Sequence, residues 1–264
     1  MKSLVPLGVA ALLAATAHTS SATYDPLAVD PNFNAQVLEL TVPAPEGSIP
    51  VRIYLPVNSA PAPVVLFSHG LGGSRNGNTF LGQHWAGRGY VAVFLQHPGS
   101  DSSVWQGKPF SERMSSLVAA ASLKNFVRRA RDVHAALDAL TSWNSDPKSP
   151  LSNCLDLERI GMSGHSFGAV TTEAVSGETF PVLGTKLTDS RIKAAIAFSP
   201  SAPLRDTPEA HFSSENSVAT DDRNKGRVTA WPDRRKIPTR GLSRIESCAE
   251  IRSRSEQRGA FRVH

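Results

Sequence analysis

The sequence predicts an α/β fold, a mostly parallel sheet covered by helices on both faces, and three observations predict it. Short apolar runs alternate with helix-length amphipathic segments, the order that parallel strands joined by crossover helices require. One run, Val64-Val65-Leu66-Phe67, passes directly into the glycine-rich loop Ser68-His69-Gly70-Leu71-Gly72-Gly73. Another ends in Gly164-His165-Ser166-Phe167-Gly168, a serine between two glycines where a strand turns into a helix.

The elements follow in order. Lys2 precedes an apolar, alanine-rich run from Leu4 to Ala15, and small residues come next. That pattern reads as a secretory signal over residues 1–22, with candidate cleavage points after Ala17 and Ala22. Its apolar core is too short to span a bilayer, and Pro6 argues against a buried helix. The expected mature chain is exported, to the periplasm or beyond, with no stable membrane insertion. Residues 23–212 are the expected globular core: 264 residues with 40% hydrophobic and 19% charged content allow one sizeable domain.

Within that core, Val37 to Thr41 and Ile49 to Leu55 read as an opening hairpin joined through Pro43-Ala44-Pro45-Glu46-Gly47. The continuous apolar run 64–67 reads as a strand buried on both faces. Thr79 to Arg88 reads as a helix stopped by Gly89, and Tyr90 to Leu95 as the next buried strand. Phe126, Ala130, Val133, Leu137 and Leu140 recur at steps of four and three, which predicts one long amphipathic helix, roughly Ser116 to Trp143. Arg159 to Ser163 reads as the strand entering the serine turn, Phe167 to Val175 as the helix leaving it, and Ala194 to Phe198 as a further strand closed by Ser199-Pro200. The turn-rich segment His97 to Trp105 follows a strand's carboxyl end, where ligands of open α/β sheets bind. Trp105 and Phe110 are candidate walls of a substrate pocket there.

The chemistry concentrates in the two glycine motifs. A sharp strand-to-helix turn holds the serine in a strained conformation facing a ligand, and the flanking glycines permit close packing. In acyl transfer, negative charge develops on the carbonyl oxygen, and one fixed N–H donor stabilises it by roughly 2.7–4 kcal/mol. The two expected donors are the amide of Phe167, which follows the serine, and that of Leu71, in the earlier loop.

Ser68-His69-Gly70-Leu71-Gly72 paired with Gly164-His165-Ser166-Phe167-Gly168 resembles the α/β-hydrolase fold. Within it, the pair is similar to the platelet-activating-factor acetylhydrolase and dienelactone-hydrolase-like group, over roughly residues 36–205. The resemblance implies a serine esterase with Ser166 as nucleophile and the Leu71 and Phe167 amides as oxyanion hole. It also implies a small-molecule or lipid ester substrate, hydrolysed with neither metal nor organic cofactor.

Histidines receive plainer expectations. His69 precedes the oxyanion glycine and is expected to brace its loop, and His165 to support the turn. His84, His97 and His134 stand in no motif, so surface or internally satisfied roles are expected.

The last segment differs in kind. Residues 213–264 carry 12 Lys+Arg against 7 Asp+Glu, whereas the other 212 residues hold 16 of each sign. They contain no apolar run of four, so no strand is expected there. Basic residues interspersed with acids and serines, without aromatic platforms, do not favour nucleic-acid binding. Two readings remain: a disordered extension, or an ending altered by truncation or a reading-frame change near Phe212. The family's ending implies an acid and then a histidine. Asp206 follows the last clear strand, His211 lies too close behind it, and His264 has no structural context, so neither triad acid nor histidine is assigned. Cys154 and Cys248 permit a disulfide without requiring one.

Overall fold

The apolar runs become strands because each buries both faces: Val64, Leu66, Phe67 and every residue from Val91 to Leu95 are buried. The computed structural model describes residues 33–57, 61–180 and 182–200, and the backbone of 217–221. Its strands are β1 (Gln36–Ala44), β2 (Gly47–Leu55), β3 (Ala62–Ser68), β4 (Val91–Leu95), β5 (Leu155–His165), β6 (Ile192–Phe198) and β7 (Ser217–Asp221). They form one sheet in the order β1-β2-β4-β3-β5-β6-β7. β2 runs antiparallel to β1 and β4, and the others pair parallel. The described helices are α1 (Thr79–Gly87), α2 (Phe110–Ala120), α3 (Leu123–Ser145) and α4 (Phe167–Val175).

Successive strand residues point to opposite faces, which divides the core. Val64 and Leu66 of β3 join Ala130, Val133 and Leu137 of α3 and Ala174 of α4 in one cluster. Phe67, Ala92 and Phe94 join Tyr54, Ala86 and Trp85 beside α1 in another. Each large aliphatic side chain buried in this way contributes about 1.5–3 kcal/mol.

Two expectations need correction. The predicted single helix from Ser116 to Trp143 is two helices, broken at Ala121-Ser122. Ser122 caps α3 by accepting from the Asn125 amide at 3.3 Å, and Asn125 Nδ2 donates to the Ala120 carbonyl at 2.8 Å. A serine cap of this kind is worth about 1 kcal/mol, and the periodic stripe from Phe126 onward belongs to α3 alone. The second correction concerns the tail: Ser217–Asp221 pairs in parallel with Ala194–Phe198. Among the described residues β7 has β6 as its one neighbour, and a strand paired on one side can form without the continuous apolar run that marks a central strand. Residues 1–32, with the expected signal, lie outside the described residues, as do Asp206, His211, Cys248 and His264.

Candidate active site

The serine turn forms where β5 runs into α4. Ser166 has φ 55° and ψ −116°, a region that non-glycine residues rarely occupy. Its amide donates to the Phe198 carbonyl at 3.0 Å, which anchors the strained residue to the end of β6. A Cβ on Gly164 would stand 2.2 Å from the Gly168 carbonyl oxygen, and a Cβ on Gly168 only 1.9 Å from that of Ser68. Only glycine fits at either place, because strand, turn and neighbouring strand meet backbone to backbone. Ser166 and His165 are exposed.

The glycine-rich loop after β3 lies against this turn: a Cβ on Gly70 would be 3.5 Å from that of Ser166. The loop is braced on both sides of Leu71. The Gly72 amide donates to the Ser100 carbonyl at 2.9 Å, and the Trp105 indole N–H donates to the Gly72 carbonyl at 2.8 Å. His69 accepts the His97 amide on Nε2 at 3.2 Å, so Nδ1 carries the proton and donates to the Gly70 carbonyl at 2.7 Å. Burial, helped by the Arg129 charge, lowers the His69 pKa to about 4 and keeps the ring neutral. Among the described residues, neither the Leu71 nor the Phe167 amide has an acceptor; that of Phe167 lies in the first turn of α4, where a helix supplies none.

Beneath the loop is a buried polar chain that sequence reasoning missed. Ser68 Oγ lies 2.6 Å from His97 Nε2, and His97 Nδ1 lies 2.9 Å from Asp132 Oδ2. All three are buried, Ser68 and His97 completely. Burial pushes the Asp132 carboxyl up to about 7 against the pull of Arg128 and Arg129, and holds His97 well below its ordinary value. With the carboxylate ionised, Nδ1–H donates to Asp132 and Nε2 accepts the Ser68 hydroxyl. Arg129 is also buried; its pKa falls to about 9 through desolvation, opposed by Asp132 and Asp101. The signal for this cluster was available: Arg129 and Asp132 are charges set beside the apolar stripe of α3.

The structure brings Ser166 and the loop bearing Leu71 together and places Phe167 directly after the turn. Among the described residues it brings no histidine to Ser166. Among the described residues Ser166 Oγ has no hydrogen-bond partner; His69 and His97 are engaged as above, and His134 Nε2 is 3.0 Å from the Leu187 carbonyl oxygen. Phe110 is 87% exposed rather than a pocket wall. Trp105 braces Gly72 and carries the Arg113 guanidinium 5.5 Å above its ring. A cavity of about 220 Å³, lined by Val65, Trp85, Met162 and Ile196 among others, lies against β3, β5 and β6 beside the end of α1 and does not include Ser166. Among the described residues no three His, Cys, Asp or Glu side chains are grouped to hold a metal ion, and no helix is long and apolar enough to cross a membrane.

Comparison with solved structures agrees with this geometry. A ferulic acid esterase from Streptomyces cinnamoneus superposes with a TM-score of 0.52 at 19% identity, over 74% of this chain and 66% of that one. This is the α/β-hydrolase fold. Other matches share the fold. They include a candidate dienelactone hydrolase from Klebsiella pneumoniae (TM-score 0.49, 16% identity, 71% of each chain). An acylaminoacyl peptidase from Pyrococcus horikoshii (0.43, 18% identity) is matched over 63% of this chain and 23% of its own. The chain thus spans about two thirds of the first two proteins and under a quarter of the peptidase. Residues 32–134 match the family model of platelet-activating factor acetylhydrolase, isoform II. That match includes the Leu71 loop, Arg129 and Asp132, and stops before the serine turn. Among curated proteins none matches the chain.

Proposed function

We propose that this α/β-hydrolase-fold chain cleaves carboxylic esters, with Ser166 as nucleophile. The observation that carries this reading is the strained, exposed Ser166 at φ 55° and ψ −116°, locked between two glycines that tolerate no side chain. In the proposed reaction Ser166 Oγ attacks the ester carbonyl while a histidine takes its proton. The oxygen of the tetrahedral intermediate accepts from the Leu71 and Phe167 amides. The alcohol leaves with that proton, and water then hydrolyses the acyl-serine by the same steps. The acid of such a triad follows the serine in chain order. β7 ends on Asp221, which pairs in register with Phe198 at the sheet's carboxyl edge, so its backbone position suits that role. The triad histidine is not assigned; His211 and His264 lie outside the described residues. The family match over residues 32–134 supports ester chemistry, and the exposed serine suits a small-molecule or lipid ester.

One observation favours a second reading, a catalytically incompetent remnant of the fold: Ser166 Oγ has no basic partner among the described residues. A serine without a base stays protonated near neutral pH and is a poor nucleophile. A fluorophosphonate probe and a short-chain chromogenic ester separate the two. Labelling at Ser166 with turnover supports the hydrolase; a folded sample that neither labels nor turns over supports the remnant. Export is proposed as well, and amino-terminal sequencing of the mature protein is expected to begin at His18 or Thr23.

A further inference from the structure

Arg129 lies under both glycine loops and touches each. Its Nη2 donates to the His69 carbonyl, its Nη1 to Ser100 Oγ at 3.0 Å, and its Nε to Thr171 Oγ1 at 3.0 Å. The guanidinium carbon stands 4.8 Å from the centre of the Phe167 ring. Thr171 Oγ1 in turn donates to the Phe167 carbonyl at 3.0 Å. Ser100, held by Nη1, offers its own carbonyl to the Gly72 amide. The 69–70 peptide directly, the 71–72 peptide through Ser100, and the residue whose amide is the other proposed donor are therefore tied to one planar cation. A guanidinium can do this because its donors are fixed in a rigid fork; a lysine ammonium carries the charge without the fork.

The geometry points to Arg129 as the positioning residue of the oxyanion hole, setting the Leu71 loop and the first turn of α4 at a fixed separation. This inference rests on the hydrolase reading above for its catalytic consequence, but the positioning itself is a property of the fold. A preorganised pair of donors stabilises a developing oxyanion because no reorganisation is needed as charge appears. If the two arms drift, ground-state binding survives while the reacting geometry does not. Arg129 also stays cationic at neutral pH, with Asp132 and Asp101 as counter-charges.

The test uses the full chain and three variants: Arg129→Lys, Arg129→Met and Thr171→Val. Hydrogen–deuterium exchange is followed in peptides covering 69–73 and 167–170, with Val91–Leu95 of β4 as the fold control, alongside the rate of fluorophosphonate labelling at Ser166. In both Arg129 variants exchange at 69–73 is expected to rise about tenfold, with β4 unchanged. The maximal labelling rate is expected to fall about 100-fold, while the half-saturating probe concentration moves less than about threefold. Thr171→Val, which keeps the cation and removes one acceptor, should show the same pattern at smaller amplitude. If Arg129→Met loses β4 protection, it has unfolded, and Arg129→Lys and Thr171→Val decide. Unchanged exchange at 69–73 in a folded Arg129→Lys protein overturns the proposal, as does raised exchange with an unchanged labelling rate. A wild-type protein that never labels refutes the hydrolase reading instead, and loop exchange alone then decides whether Arg129 positions the loop.

Discussion

Two serines sit at the carboxyl edge of neighbouring strands, and they divide the requirements of a nucleophile between them. Ser68 ends β3 and pairs in register with Gly164. It has what a triad serine needs on paper, a histidine at 2.6 Å that is itself 2.9 Å from an aspartate, yet it is completely buried. Ser166 has the opposite set: exposure, a strained backbone and neighbouring free amides, with no histidine on its hydroxyl among the described residues. Ser-His-Asp contact geometry does not by itself make a catalytic site. Ser68, His97 and Asp132 form a satisfied interior chain under the loop, whereas strain and access mark Ser166.

The contrast breaks most sharply if the wrong serine reacts. Ser166→Ala is expected to abolish fluorophosphonate labelling altogether, with peptide mapping of the wild-type adduct placing it on Ser166. An adduct on Ser68, or labelling that persists in Ser166→Ala, would reverse the assignment. The next largest effect is structural. Gly168→Ala puts a methyl group 1.9 Å from the Ser68 carbonyl oxygen, backbone against backbone, and is expected to cost about 4 kcal/mol or more. Urea unfolding measures it; a loss below about 1 kcal/mol would mean that the two strand ends do not meet as closely as described.

Much of this contrast was legible in the sequence, on one side only. The serine turn and glycine loop announce themselves because backbone constraints select glycine, and glycine is visible in a sequence. β3, β4 and β6 were legible because buried parallel strands are continuous apolar runs, and β5 because it leads into the serine turn. The interior chain was not, since His97 comes from the end of β4, Asp132 from α3 and Ser68 from β3, and only the fold brings them together. β7 was illegible for a different reason: at the edge of the described sheet a strand needs no apolar run. The break between α2 and α3 was written in Ser122 and Asn125, but a uniform helical periodicity masks a cap inside it.

Acid stability sharpens the contrast from the histidine side. His69, beside the buried chain, is held neutral with its pKa near 4, while in the unfolded chain it titrates near 6.5. Below about pH 6.5 the unfolded state therefore binds more protons, so this group's stability contribution is full at pH 7 and declines as pH falls towards 4. His97 acts in the same direction. Asp132 acts oppositely, since its raised pKa makes stability fall as pH rises from about 4 to 7. Comparison with His69→Gln isolates the His69 share. Between pH 7 and 4.5 the wild type is expected to lose about 2 kcal/mol more than the variant in urea unfolding. Equal losses would show that the His69 ring is already solvated or protonated.

The smallest effect is the most discriminating. Ser68→Ala removes a buried hydroxyl and leaves His97 Nε2 unpaired, which is expected to cost about 1–2 kcal/mol of stability. Its effect on chemistry should be nil, because neither Ser68 Oγ nor His97 is aimed at Ser166; the labelling rate should stay within about twofold of wild type. That combination, a stability loss without a kinetic one, is what an interior hydrogen-bond chain predicts. A labelling rate that falls with Ser68→Ala in a folded protein would instead couple the buried histidine to the exposed serine. The two serines would then be one site rather than two.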